Sequence, residues 1–153
     1  MCYVANVGDS RAVMSGSNGK KLFPLSSDHK PDDKEETRRI EENGGHIYQT
    51  QAQTIQRNDK GEKQLVTIVG PHRVFPGRLS VSRTFGDIEA KVVAFGGNPR
   101  CVIADPEIKA FRIKKDHDFI AMGCDGIFDK LSSRDVIKVI WEAANKSQAK
   151  NIH

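Results

Sequence analysis

Residues 119–131 read "FIAMGCDGIFDKL", and the way this stretch changes character decides the fold. The apolar run from Phe119 to Cys124 is that of a strand, extended upstream to His117, and it stops abruptly at Asp125-Gly126. A second acid, Asp129, follows. Burying one carboxylate costs several kcal/mol unless hydrogen bonds or a cation compensate it, so two acids at one strand end require a reason. If the chain turns helical after Gly126, Asp125 and Asp129 share one face while Ile127 and Phe128 anchor the other. Cys124 reads as a small buried apolar residue beside the acids.

Upstream, "YVANV", "RAVM" and "KLFPL" read as short strands separated by "GDS" and "SGSNGK", which predicts an antiparallel meander. Pro31, followed by Asp32, Asp33, Glu35 and Glu36, marks a helix start. Glu35 is placed to pair with Arg39, and Gly44-Gly45 stop the helix. Ile40 is almost its only apolar residue, which predicts a peripheral helix of about three turns. From Ile47 to Phe75 the pattern loosens into a polar excursion, with "QLVTIVG" a strand after a Lys60-Gly61 turn. "CVIADPEIKAFRI" and "HDFIAMGC" read as two further strands. Ser132 or Ser133 caps a last helix from Arg134 to about Lys146, with Val136, Ile137, Val139, Ile140 and Trp141 as its stripe. Strands, helix, loop, strands, helix is an α+β order, an antiparallel sheet system with flanking helices.

The chain has 153 residues, 37% hydrophobic and 29% charged, with a formal net charge of +4, which suits one globular domain. Lys and Arg lie scattered among Asp and Glu, and no basic stripe is interleaved with aromatics, so no nucleic-acid partner is expected. No apolar run approaches the roughly 20 residues that span a bilayer, and no membrane partner is expected either. Cys2, Cys101 and Cys124 are odd in number and lack CxxC spacing, which fits a reducing intracellular compartment, cytoplasmic or nuclear.

Several chemistries fail on spacing. A phosphate-binding loop around Gly19-Lys20 needs Gly at 14 and Ser or Thr at 21, where Met14 and Lys21 stand. The five histidines (His29, His46, His72, His117 and His153) form no zinc pattern. A cysteine-based phosphatase needs Arg six residues after its nucleophile, and Gly8, Glu107 and Lys130 occupy those places. Carboxylates at turns remain: Asp9 in "VGDSR", Asp125 and Asp129. Oxygen ligands of this kind suit Mg²⁺ or Mn²⁺, ions that keep much of their coordination as water. Asp-Gly is also a common turn pair and "GDS" an ordinary hairpin loop, so spacing leaves both readings open.

"VANVGDSRAVM", "LSSDHKPDDKEETRRIEENGGHI", "RLSVSRTFGD" and "AMGCDGIFDKLSSRDVI" follow one another as in the type 2C (PPM) protein phosphatases, which this chain resembles from Cys2 to at least Trp141. The resemblance implies a four-layer αββα fold, a β-sandwich of two antiparallel sheets with helices on both outer faces. It implies metal-dependent hydrolysis of phosphoserine and phosphothreonine in a phosphoprotein substrate, at a centre of two Mg²⁺ or Mn²⁺ ions. On that resemblance Asp125 is a direct ligand, Asp9 a ligand of a third ion that Asp125 and Asp129 help to hold, and Gly126 permits tight backbone after the ligand. Arg83 and Asp87, in "SRTFGD", are supporting residues or members of an ordinary structural salt bridge or turn. Residues from about 45 to 76 correspond to the family's variable flap.

The family's Asp-Gly-His and Asp-Asn motifs have no counterpart in these residues. The resemblance therefore implies that residues 1–153 form a partial catalytic domain, inactive or nearly so alone. Its exposed sheet edges and core surface would favour association, with the missing N-terminal part of the domain or with itself. The alternative is a non-catalytic phosphatase-like module that binds a protein partner.

Overall fold

The computed structural model describes residues 1–150, and His153 lies outside them. In chain order the elements are β1 (Cys2–Asn6), β2 (Arg11–Gly16), β3 (Lys21–Pro24), α1 (Lys34–Glu42), β4 (His46–Arg57) and β5 (Lys63–Phe75). They continue with α2 (Ile88–Lys91), a 3₁₀ turn at Val93–Phe95, β6 (Glu107–Phe111), β7 (His117–Gly123), α3 (Asp125–Phe128) and α4 (Ser133–Lys150). All named strand pairs are antiparallel, as the sequence predicts for an α+β chain. No helix among the described residues is long and apolar enough to cross a membrane. The chain divides into two compact units: a split unit of residues 1–28 and 105 onward, and an inserted unit of residues 29–104.

In the split unit β1 pairs with β6, and β2 lies between β3 and β7. Only β2–β3 is the predicted hairpin. Its four-residue turn, 17–20, holds Ser17, Asn18 and Gly19 at positive φ (56°, 57° and 78°). The predicted meander breaks before β2, where Gly8 at φ 107° helps send β1 into a different sheet. Asp118 on β7 secures the hairpin by accepting from the amides of Asn18 (3.2 Å) and Gly19 (3.0 Å) and from Ser15 Oγ (2.8 Å). Trp141 Nε1 on α4 donates to the same Ser15 Oγ at 3.0 Å.

Ala12, Met14 and Leu25 pack with Val4, Phe23 and Phe111, so the β1–β6 sheet faces the three-stranded one. On the other side Val13 and Ala121 pack with Val136 and Ile137, which makes α4 an outer helical layer. Val139, counted in the predicted stripe, is instead exposed, because it points away from that contact. The apolar run of β7 is only half interior. Met122 sits opposite buried Ala12 yet is 79% exposed, on the rim of a cleft it shares with Val4, Ala5 and Asn6 of β1.

In the inserted unit Asp33 caps α1, accepting from the amides of Glu35 (3.0 Å) and Glu36 (3.4 Å), within the start that Pro31 and the acids mark. The helix is less peripheral than its composition predicts. Ile40 is fully buried with Val74, Ala90, Cys101 and Val102. Gly44 ends it at φ 81°, and a Cβ on Gly45 would lie 2.7 Å from Cys101 Sγ, so the second glycine serves packing. The predicted polar excursion is a long hairpin, β4–β5. Asn58 Oδ1 organises its tip by accepting from the amides of Lys60 (3.0 Å) and Glu62 (2.9 Å). Between the pairs Gln49–His72 and Gln51–Val69, β5 carries one extra residue, a bulge at Gly70-Pro71 opposite Thr50.

Candidate functional site

At the end of β7 the strand-to-helix change is built by Gly123. A Cβ there would lie 3.1 Å from both Ile127 Cδ1 and Phe128 Cε2, so its absence lets α3 fold back against the strand. Cys124 continues in extended conformation (φ −94°, ψ −177°), and Asp125 opens α3. The backbone N–H of Asp129 donates to the Asp125 carbonyl at 2.8 Å, which sets the two acids one turn apart. Of the two predicted anchors, Phe128 packs into the core and Ile127 stays largely exposed. Cys124 is exposed too, not the buried apolar residue the sequence predicts, because the strand has already left the core at this point.

Both acids face solvent, and among the described residues neither Asp125 nor Asp129 enters a salt bridge. Gly126 adopts no left-handed conformation, and a Cβ there would meet only Cys124 Sγ at 3.7 Å. Tight backbone is therefore required at Gly123 rather than at Gly126, a role the spacing alone did not reveal.

Arg11, in the first position of β2, organises the surroundings. Its Nε and Nη2 donate to the two oxygens of Asp28 at 3.0 and 2.7 Å, and Nη1 donates to Ser133 Oγ at 3.3 Å. The guanidinium also lies over the Phe128 ring, 4.8 Å from its centroid. The hydrogen bond to Asp28 holds its pKa above the ordinary arginine value against burial, and the charges of Asp28 and Asp129 act in the same direction. One side chain thus ties β2, α3 and the start of α4 together. Sequence reasoning missed it, although its place directly after "GDS" is the signal.

Asp9 is half-buried in the β1–β2 connection. A cleft of about 350 Å³ opens among Asn6, Ser10, Arg11, Ser26, Met122 and Gly123, chain neighbours of Asp9 on one side and of Asp125 on the other. Among the described residues no three His, Cys, Asp or Glu side chains gather into a group able to hold a metal ion. The structure places Asp125 and Asp129 on one turn and Asp9 on a separate connection. The donors are hard carboxylate oxygens, open to water, and fit in kind an ion such as Mg²⁺ that takes one or two carboxylates and retains waters.

Arg83 and Asp87 lie in the inserted unit. Arg83 Nε donates to both oxygens of Glu36 at 3.1 Å and Nη2 to Oε1 at 2.5 Å. Glu36 Oε2 also accepts from Arg39 Nη2 (2.9 Å) and Ser82 Oγ (2.5 Å). Glu36 is 3% exposed. Burial works against its ionisation, but the hydrogen bonds from Arg83, Ser82 and Arg39 prevail and lower its pKa to about 2. Of the two readings of Arg83, its contact with Glu36 is the structural ion pair. Arg39 bonds Glu36 and Arg38 bonds Glu35, in place of the predicted Glu35–Arg39 pair. Asp87 is exposed at the start of α2 with φ 49°, and its side chain makes no capping bond.

Comparison with known proteins gives one answer. The family described as Protein phosphatase 2C matches residues 2–152. "Probable protein phosphatase 2C 4" of Paramecium tetraurelia is 33% identical over 95% of this chain and 40% of its own length. "Probable protein phosphatase 2C 25" of Arabidopsis thaliana is 36% identical over 89% of the chain and 27% of its own length. The chain thus spans about two fifths or less of these relatives. Among solved structures, a phosphatase from Toxoplasma gondii superposes with a TM-score of 0.60 and 28% identity, covering 95% of this chain and 38% of the other.

Proposed function

Because the chain belongs to the protein phosphatase 2C family, we propose that it carries part of the catalytic domain of a metal-dependent protein serine/threonine phosphatase. The observation that carries this reading is the delivery of Asp125 and Asp129, solvent-open and one turn apart, by the end of β7. Asp125 and Asp129 would hold Mg²⁺ or Mn²⁺ and Asp9 would contribute to a further ion, in a centre completed by ligands outside these residues. When bound, such ions supply charge that neutralises phosphoryl oxygens and lowers the pKa of water. The chain's own residues do the positioning: Gly123 lets α3 close on β7, and Arg11 fixes α3 against β2 and α4. The substrate on this reading is a phosphoprotein, with residues 45–76 as the variable segment that influences its choice. An intracellular location, cytoplasmic or nuclear, belongs to the same proposal and is supported by the free thiols of Cys2, Cys101 and Cys124.

Two measurements on the 153-residue chain test it. Mn²⁺ binding followed by electron paramagnetic resonance should weaken about tenfold or more in Asp125→Asn. Unchanged binding in that variant would remove Asp125 from the site. Phosphopeptide turnover with Mn²⁺ should be negligible, since the sequence holds no Asp-Gly-His or Asp-Asn segment. Strong, Asp125-dependent turnover would show that the chain needs nothing more.

A further inference from the structure

The β4–β5 hairpin leaves β4 with one edge unpaired among the described residues. Such an edge is a row of open N–H and C=O groups, normally guarded by a charge, a proline or a bulge. Between its two end residues, His46 and Arg57, β4 has none of these. From Ile47 to Gln56 it carries no charged residue, no Pro and no Gly, and its side of the hairpin is regular because the bulge belongs to β5. The side chains from Gln49 to Gln53 are all exposed.

The sequence of this open edge is also a palindrome. Residues 50–54 read Thr-Gln-Ala-Gln-Thr, symmetric about Ala52. Two antiparallel copies of β4 related by a two-fold axis through Ala52 would place Gln51 opposite the partner's Gln53, and Thr50 opposite the partner's Thr54. Like thus meets like in uncharged pairs, and Thr–Thr and Gln–Gln contacts across strands are favourable. A two-fold interface demands this kind of self-complementarity.

We propose that β4 is a self-association edge, and that two copies of this chain join through it into a four-stranded sheet ordered β5–β4–β4–β5. The occupant is a second copy because the palindrome, a property of the edge itself, supplies the matching strand. The assembly closes at two. The other edge of the hairpin is blunted by Lys63, Arg73 and the Gly70-Pro71 bulge, and a proline there donates no ladder hydrogen bond. A lone two-stranded hairpin is marginal in water, and a four-stranded sheet is not. This inference is independent of the metal site.

Sedimentation equilibrium of the whole chain, paired with amide hydrogen exchange, tests it. The expected result is a monomer–dimer equilibrium in which the amides of residues 49–55 gain protection as concentration rises. Gln51→Lys with Gln53→Lys sets lysine against lysine at two places and should weaken the dimer at least tenfold. Gln51→Lys with Gln53→Glu sets lysine against glutamate at both and should restore it. These positions are exposed, and circular dichroism of each variant checks that the fold is kept. A chain monomeric at every concentration overturns the proposal. So does a dimer indifferent to the double lysine variant, a failure of the Lys/Glu pair to restore it, or protection of 49–55 only on adding an extended phosphopeptide.

Discussion

Glu36 and Asp125 are both acids in the first turn of a helix, one in each unit, and their surroundings differ in every respect. Glu36 is buried and saturated: Arg83, Arg39 and Ser82 all donate to its two oxygens. Asp125 is exposed and enters no salt bridge among the described residues. Placing an acid at a helix start is therefore not what separates structure from function. What separates them is whether the protein has already supplied the carboxylate's partners. A saturated carboxylate holds its unit together, and an open one is available to an ion from solution.

That contrast is most easily broken at Glu36. Glu36→Ala leaves the Arg83 and Arg39 guanidinium groups without their common partner, and should destabilise the inserted unit by about 3–5 kcal/mol. Urea unfolding read through amide exchange of residues 29–104 measures it, and a loss under 1 kcal/mol would demote the network to a surface ion pair. Acid should act in the same direction. The folded carboxyl titrates near 2 and an ordinary glutamate near 4.5. The stabilisation is therefore complete above pH 4.5 and is lost as pH falls toward 2, by about 3 kcal/mol in all. Unfolding midpoints across that window, compared with those of Glu36→Gln, isolate the contribution. The smallest effect belongs to the other acid pair. Asp125→Asn and Asp129→Asn should each change stability without metal by no more than about 0.5 kcal/mol. A larger loss by thermal melting would mean that these acids already have a structural task.

The two kinds of carboxylate were not equally legible in the sequence. Asp125 and Asp129 announce themselves because a strand ends on them, and strand ends show in local pattern. Glu36 gives no such sign, since its partners Ser82 and Arg83 lie far along the chain and helical spacing suggested another pairing. The β4 strand was missed because glutamine is a weak strand signal and the alternation of Thr54, Ile55, Leu65 and Val66 becomes clear only once the Asn58 turn sets the register. The strands β2, β3 and β7 and the last helix were readable, being short apolar runs with turn or capping residues at their ends. Pairing was not: β1 joins β6 across most of the chain, a choice that local pattern does not encode.

The division of the chain also orders events in time. β1, β2 and β3 cannot find β6 and β7 until residues 29–104 have been traversed. Closing a flexible loop of that length costs roughly 4 kcal/mol in chain entropy. If the inserted unit folds first, on its own α1 and hairpin contacts, it replaces the floppy loop by a compact body and lowers that cost. During synthesis the inserted unit is complete before β6 is made, so the order of translation and the cheaper order of folding coincide. On that order the corner that carries Asp125 takes shape after the inserted unit, not before it.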